Sequence, residues 1–157
     1  MINRQATALT LTAISILFSS AAFADTTETA TADMHVSLTV EKSCQISVGD
    51  MDFGSHPSDT GQLTVTSQAS VTCTNGTEYQ LSSASDHTYE MANDNGDTVA
   101  YTIYGDTSGS DLSKTPVDNI GTGSIQTIPI YGRVTADALA QAPAGNYSDT
   151  VTLTVAY

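Results

Sequence analysis

The chain has 157 residues, with 17 acidic and four basic side chains, a formal net charge of −13. Such an acidic surface repels phosphate backbones, so nucleic acid is excluded as a natural partner. Lys and Arg are scarce while Thr, Ser, Gly and Val abound. That bias suits strands and turns and disfavours amphipathic helices, and the regular spacing of the apolar residues argues against disorder.

Residues 1–5 carry Arg4 as their only charge, and residues 6–23 are uncharged and rich in Ala, Leu and Ile. The stretch closes on Ala22-Phe23-Ala24. A basic start, a short apolar run and small residues at the −3 and −1 positions predict a secretory signal peptide over residues 1–24. A membrane anchor is disfavoured because Thr and Ser break the run and no basic stop-transfer residues follow it. Residues 25–157 then form a single domain, large enough for one core. Its formal charge is −14, because Arg4 leaves with the signal and every acidic residue remains.

Alternation of period two runs through this domain. Ala30, Ala32, Met34, Val36, Leu38 and Val40 share one face of a predicted strand, and polar residues take the positions between them. Leu63, Val65, Ala69, Val71 and Cys73 give the next strand, with a bulge or break expected near Ser67-Gln68. Further strands are predicted at 79–83, at 99–103 after the turn signal Asn93-Asp94-Asn95-Gly96-Asp97, and at 125–131. Pro129 places that last one at a sheet edge or a bulge. Ala136–Gln141 reads as one short helical turn. Val151, Leu153, Val155 and Tyr157 alternate to the last residue. Six or seven short strands between Gly, Asn, Asp and Ser turns predict an all-β antiparallel sandwich.

Cys44 and Cys73 are an even pair in an exported domain and predict one disulfide. Neither has the further ligands of a metal site nor the Cys-x-x-Cys spacing of a redox pair. The two chain ends carry the functional signal. The last strand has no turn or partner after it, so the sandwich either lacks one strand or is completed in cis by its own N-terminal segment. An open edge attracts a strand from another chain.

Several blocks resemble the spore coat protein U domain family, the pilins of archaic chaperone–usher pili. They are Val40-Glu41-Lys42-Ser43-Cys44, Asp52-Phe53-Gly54, Val71-Thr72-Cys73, Val99-Ala100-Tyr101-Thr102-Ile103-Tyr104 and Ile128-Pro129-Ile130-Tyr131-Gly132-Arg133. The most specific is Ala144-Gly145-Asn146-Tyr147-Ser148-Asp149-Thr150-Val151-Thr152-Leu153-Thr154-Val155. The resemblance implies an incomplete immunoglobulin-like sandwich, completed by strand donation. A periplasmic chaperone lends a strand first, and the N-terminal segment of the next copy or a related pilin replaces it at an outer-membrane usher. Residues 25–36 would then be the donor segment, presenting Ala30, Ala32, Met34 and Val36. Val151, Leu153, Val155 and Tyr157 would form the acceptor edge and chaperone contact, with the Tyr157 carboxylate meeting a basic chaperone residue. The implied role is a structural pilus subunit supporting adhesion and biofilm formation at the cell surface. The alternative is a tip adhesin or a secreted binding module with a self-sufficient sandwich.

Signatures of chemistry are weak. Gly105-Asp106-Thr107-Ser108-Gly109 approaches the surroundings of a serine-protease nucleophile, but Thr107 interrupts it. Asn93-Asp94-Asn95-Gly96-Asp97 approaches a calcium loop, but the twelfth position is Thr102 rather than Glu, which favours a hairpin turn and leaves weak calcium binding open. His35, His56 and His87 are isolated in sequence. No enzyme activity, cofactor or metal is expected.

Overall fold

The structure is a computed structural model that describes residues 27–157. The predicted signal peptide lies outside the described residues. The chain divides into two units, residues 1–37 and 38–157. In the first, residues 27–37 join no helix or strand and every one is exposed.

The second unit holds eight strands and one helix: β1 (Cys44–Val48), β2 (Leu63–Cys73), β3 (Glu78–Ser83), β4 (Glu90–Ala92), β5 (Thr98–Tyr104), β6 (Val117–Ile120), β7 (Gln126–Val134), α1 (Ala136–Gln141) and β8 (Leu153–Ala156). They form a five-stranded sheet, β1-β2-β7-β5-β4, and a three-stranded sheet, β6-β3-β8, with every ladder antiparallel. This is the all-β sandwich that the alternation predicts. The inward faces of both sheets meet in one core, with Val71 of β2, Ile130 and Val134 of β7 and Leu81 of β3 buried completely or nearly so. Leu112, from the β5–β6 connection, is also fully buried.

Two expectations require correction. β2 is unbroken, because Ser67 keeps the inward parity of Leu63, Val65, Ala69, Val71 and Cys73. Its hydroxyl is buried at no penalty since it donates to the Gly49 carbonyl at 2.7 Å. For Pro129 the expected edge holds only locally: β7 is central, between β2 and β5, and its register with β2 runs through Pro129 without a bulge. β5 ends at Tyr104, opposite Tyr131, so one flank of β7 has no ladder at Pro129 where a missing N–H would matter. A third difference concerns residues 30–40, whose alternation predicts a strand but which join no ladder.

Two glycines permit close approaches. A Cβ at Gly132 in β7 would overlap Met51 Sδ and lie 3.0 Å from Phe53, so the Asp52-Phe53-Gly54 loop seats on this strand only because no side chain stands there. A Cβ at Gly121 would lie 2.6 Å from the Thr74 carbonyl oxygen and 2.7 Å from Cys73 Cβ, so the β6–β7 turn can cross beside the cystine. Cys44 and Cys73 are directly opposite in the β1–β2 ladder and are joined as a disulfide. The helix α1 starts where the Thr135 hydroxyl accepts from the Ala138 N–H, and it stops short of Pro143. Among the described residues no helix is long and apolar enough to cross a membrane.

Candidate functional site

Among the described residues β1 is paired only with β2, at one border of the larger sheet, and β8 only with β3, at one border of the smaller sheet. These two border strands approach within 8 Å between Cα atoms, yet no ladder joins them. Side-chain burial falls off towards this seam from both sides. Val71 and Ala69 in β2 are wholly buried, while Ile46 opposite Val71 is half-buried and Val48 opposite Ala69 is 45% exposed. Leu81 in β3 is wholly buried, while Val155 opposite it is only half-buried. Val151 and Leu153 are also half-buried against the core, and Tyr157 is exposed. The core therefore thins towards a seam between two apolar strand edges, where among the described residues no ladder joins β1 and β8.

Of the predicted acceptor residues, Leu153 and Val155 lie within β8, with Val151 and Tyr157 flanking it. The opposite wall, Cys44, Ile46 and Val48 of β1, is not identified by the sequence reading, although its own alternation carries the signal. Ala30, Ala32, Met34 and Val36 are all exposed and outside any ladder. The same holds for Leu38 and Val40, and the four large side chains from Met34 to Val40 are 71–87% exposed. Water normally expels such a continuous apolar face into a protein interior or an interface.

Just before the Val151–Tyr157 segment lies a polar cluster. Asp149 accepts from the Tyr101 hydroxyl at 2.5 Å and from the Thr150 N–H at 2.7 Å, and its Oδ2 lies 2.8 Å from His87 Nε2. Tyr89 packs edge-on against both His87 and Tyr101, and its hydroxyl donates to the Ala84 carbonyl and is hydrogen-bonded to Ser83 Oγ. Burial alone would raise the Asp149 pKa, but the hydrogen bonds from Tyr101, His87 and Thr150 outweigh it and hold the carboxyl below the usual range. The Tyr101 phenol is pushed strongly upward, first by burial and then by that carboxylate, so it remains a donor. A folded-state pKa below the unfolded one gives stability that is complete above the unfolded value near 4 and is lost as pH falls through the folded value. Asp149→Asn is therefore expected to unfold more easily at neutral pH and to show a shallower loss of stability below about pH 4. Urea midpoints measured across pH check this, and an unchanged acid limb would count against it.

The other motifs close on themselves. Asp106 Oδ1 accepts from Ser108 Oγ and from the N–H groups of Gly109 and Ser110, which shapes the loop after β5. Asn93 Oδ1 accepts from the N–H groups of Asn95 and Asp97, so the calcium-like sequence is the β4–β5 hairpin turn. Among the described residues no three His, Cys, Asp or Glu side chains are placed to hold a metal. His35 is exposed, and His56 is engaged with the Phe53 carbonyl.

A family model described as the Spore Coat Protein U domain matches residues 30–154. No curated protein matches the sequence. Among solved structures, the chain is similar to one in the CsuC–CsuE chaperone–tip adhesion subunit pre-assembly complex from the archaic chaperone-usher Csu pili of Acinetobacter baumannii, with 23% identity and a TM-score of 0.53. The match covers 76% of this chain and 40% of that one. At that identity the likeness speaks for the fold: an immunoglobulin-like, pilin-type sandwich.

Proposed function

This chain belongs to the Spore Coat Protein U domain family, and from that premise we propose that it is a structural subunit of a chaperone–usher surface pilus, polymerising by donor-strand exchange. The observation that carries the reading is the seam between β1 and β8, where two apolar strand edges face each other without a ladder. The same chain holds an alternating apolar segment that is exposed and, among the described residues, joins no ladder. Inserting such a segment from a neighbour would pair with the main chain of both edges and cover the half-buried side chains. Donor residues 25–36 supply Ala30, Ala32, Met34 and Val36, and the acceptor edge supplies Val151, Leu153, Val155 and Tyr157. Small alanines fill pockets poorly, so Met34 dominates the burial.

Hydrogen-bonded strands lie about 4.8 Å apart, so a seated strand holds its two neighbours about 9.6 Å apart. Where β1 and β8 come within 8 Å they must part to admit it. Before assembly, a periplasmic chaperone covers the seam with its own strand, and an outer-membrane usher is where a copy or related pilin displaces it. The protein is thus exported through the periplasm to the cell surface, where it supports adhesion and biofilm formation. The role is structural rather than enzymatic: the family and the fold are those of pilus subunits.

Gel mobility tests the reading. Protein sheared from the cell surface should run as a ladder of multimers in SDS without heating and collapse to one band on boiling, because strand-exchanged subunits unfold very slowly. Deleting residues 25–36 should abolish the ladder while leaving the subunit bound to its chaperone. A single monomer band from unheated native protein, or a normal ladder after the deletion, overturns it.

A further inference from the structure

The outward face of the three central strands of the larger sheet departs from the charge of the rest of the molecule, although Glu90 of β4 beside Ala100 and Asp111 beside Tyr104 stand at its margin. The chain carries 17 acidic residues, yet the outward positions of β2, β7 and β5 include no carboxylate. The outer face of the smaller sheet, by contrast, presents Glu78 and Asp118. The one charge on the three central strands is Arg133, the only arginine among the described residues. The registers place it in a small array. Arg133 in β7 lies between Thr64 of β2 and Thr102 of β5, and Tyr131, two positions away, lies between Thr66 and Tyr104.

The guanidinium stacks on the Tyr104 ring, 4.7 Å from its centroid. Its Nε is buried without a hydrogen-bond partner, and among the described residues no carboxylate lies within 4.0 Å of it. An arginine in so acidic a chain has many possible partners, and the fold gives it none. It stacks on an aromatic ring, with the hydroxyl-bearing Thr64 and Thr102 beside it in register and Thr66, Tyr131 and Tyr104 two positions along. A planar guanidinium fork matches a carboxylate, and threonine and tyrosine hydroxyls both donate and accept, as sugar hydroxyls do.

We propose that this face binds an acidic saccharide, with Arg133 taking the uronate carboxylate, Tyr131 offering a ring for stacking and Thr64, Thr66 and Thr102 meeting the hydroxyls. Thr64 and Thr66 lie two residues apart on β2, about 7 Å, and Thr102 is two strands over, about 9.6 Å from Thr64, a span that suits a short oligosaccharide rather than a single ring. A sheet face suits a saccharide better than an acidic peptide. Its main-chain groups are already used in ladders, whereas an extended peptide is recognised at an open edge. The acids elsewhere oppose a long polyanion, but beyond about 8 Å they are screened at physiological salt, which favours a short oligouronate. The inference stands apart from strand exchange and involves none of the seam residues.

Equilibrium dialysis of the full-length protein against end-labelled tetragalacturonate tests it. The native protein should bind the acid form, and its methyl ester at least about tenfold more weakly, the worth of one charge-assisted hydrogen bond. Arg133→Gln should lose about tenfold or more and Arg133→Lys less, because lysine keeps the charge without the fork. Tyr131→Thr, which keeps a strand-forming residue, should weaken both the acid and its ester, and decides the matter if the arginine variants fold poorly. Absence of binding at millimolar ligand, equal binding of acid and ester, an unaffected Arg133→Gln, or equally tight binding of tetraglutamate each overturns the proposal.

Discussion

Leu153→Asp is expected to destabilise the folded subunit by about 2–4 kcal/mol, while Thr154→Asp beside it changes stability by less than about 0.5 kcal/mol. Leu153 points inward from β8 opposite Ser83 and packs on the core. It is half-buried, so losing its apolar contacts costs about 1–1.5 kcal/mol, and partial desolvation of a carboxylate with no cation beside it adds about 1–3 kcal/mol. Thr154 is exposed on the opposite face. Urea midpoints of variants isolated in the same assembly state make the comparison. Equal effects at the two positions would show that the face of β8 is assigned wrongly. The variant should also fail to accept a donor strand, because the inserted apolar segment would then bury the charge fully.

The second large effect concerns the cystine. Replacing Cys44 and Cys73 by alanine together is expected to cost about 3–4 kcal/mol, the chain-entropy value for two cysteines 29 residues apart. For a domain with about 5–15 kcal/mol in all, that loss decides how much folded subunit survives export. The single Cys73→Ser variant should be worse, because residue 73 is 1% exposed and a buried hydroxyl without a partner adds about 1–3 kcal/mol. Native protein unfolded without reductant should react with no thiol reagent. A double variant within about 1 kcal/mol of the native protein would sink the estimate.

The parts of the fold legible in the sequence are those with long alternation. β2, β3, β5, β7 and the approach to β8 keep strict parity, and one buried face per strand follows from it. The strand β4 has three residues and β6 four, Val117-Asp118-Asn119-Ile120, a composition that reads as a turn. Their pairing comes from tertiary neighbours and leaves no local trace. Ser67 misled for a different reason: its inward place depends on the Gly49 carbonyl, which is 18 residues away. At the candidate site, the β8 wall shows in the odd-numbered apolar residues from Val151. The β1 strand alternates too, at Cys44, Ile46 and Val48, but its role as a wall depends on which strand of the other sheet it faces. The alternation over residues 30–40 is genuine, but alternation reports an apolar face and not the chain that covers it.

The position of the cystine bears on mechanics. Cys44 is the first residue of β1 and Cys73 the last of β2, and they are directly opposite each other. In a fibre of the proposed kind, each subunit is pulled through the segment that precedes Cys44. Force entering there would otherwise peel β1 from β2 one hydrogen bond at a time, the weakest geometry for a ladder under load. The covalent bridge passes that tension straight to β2, which is paired with β7 along nine residues and must be sheared as a whole. A reduced fibre should therefore extend at a lower force than an oxidised one.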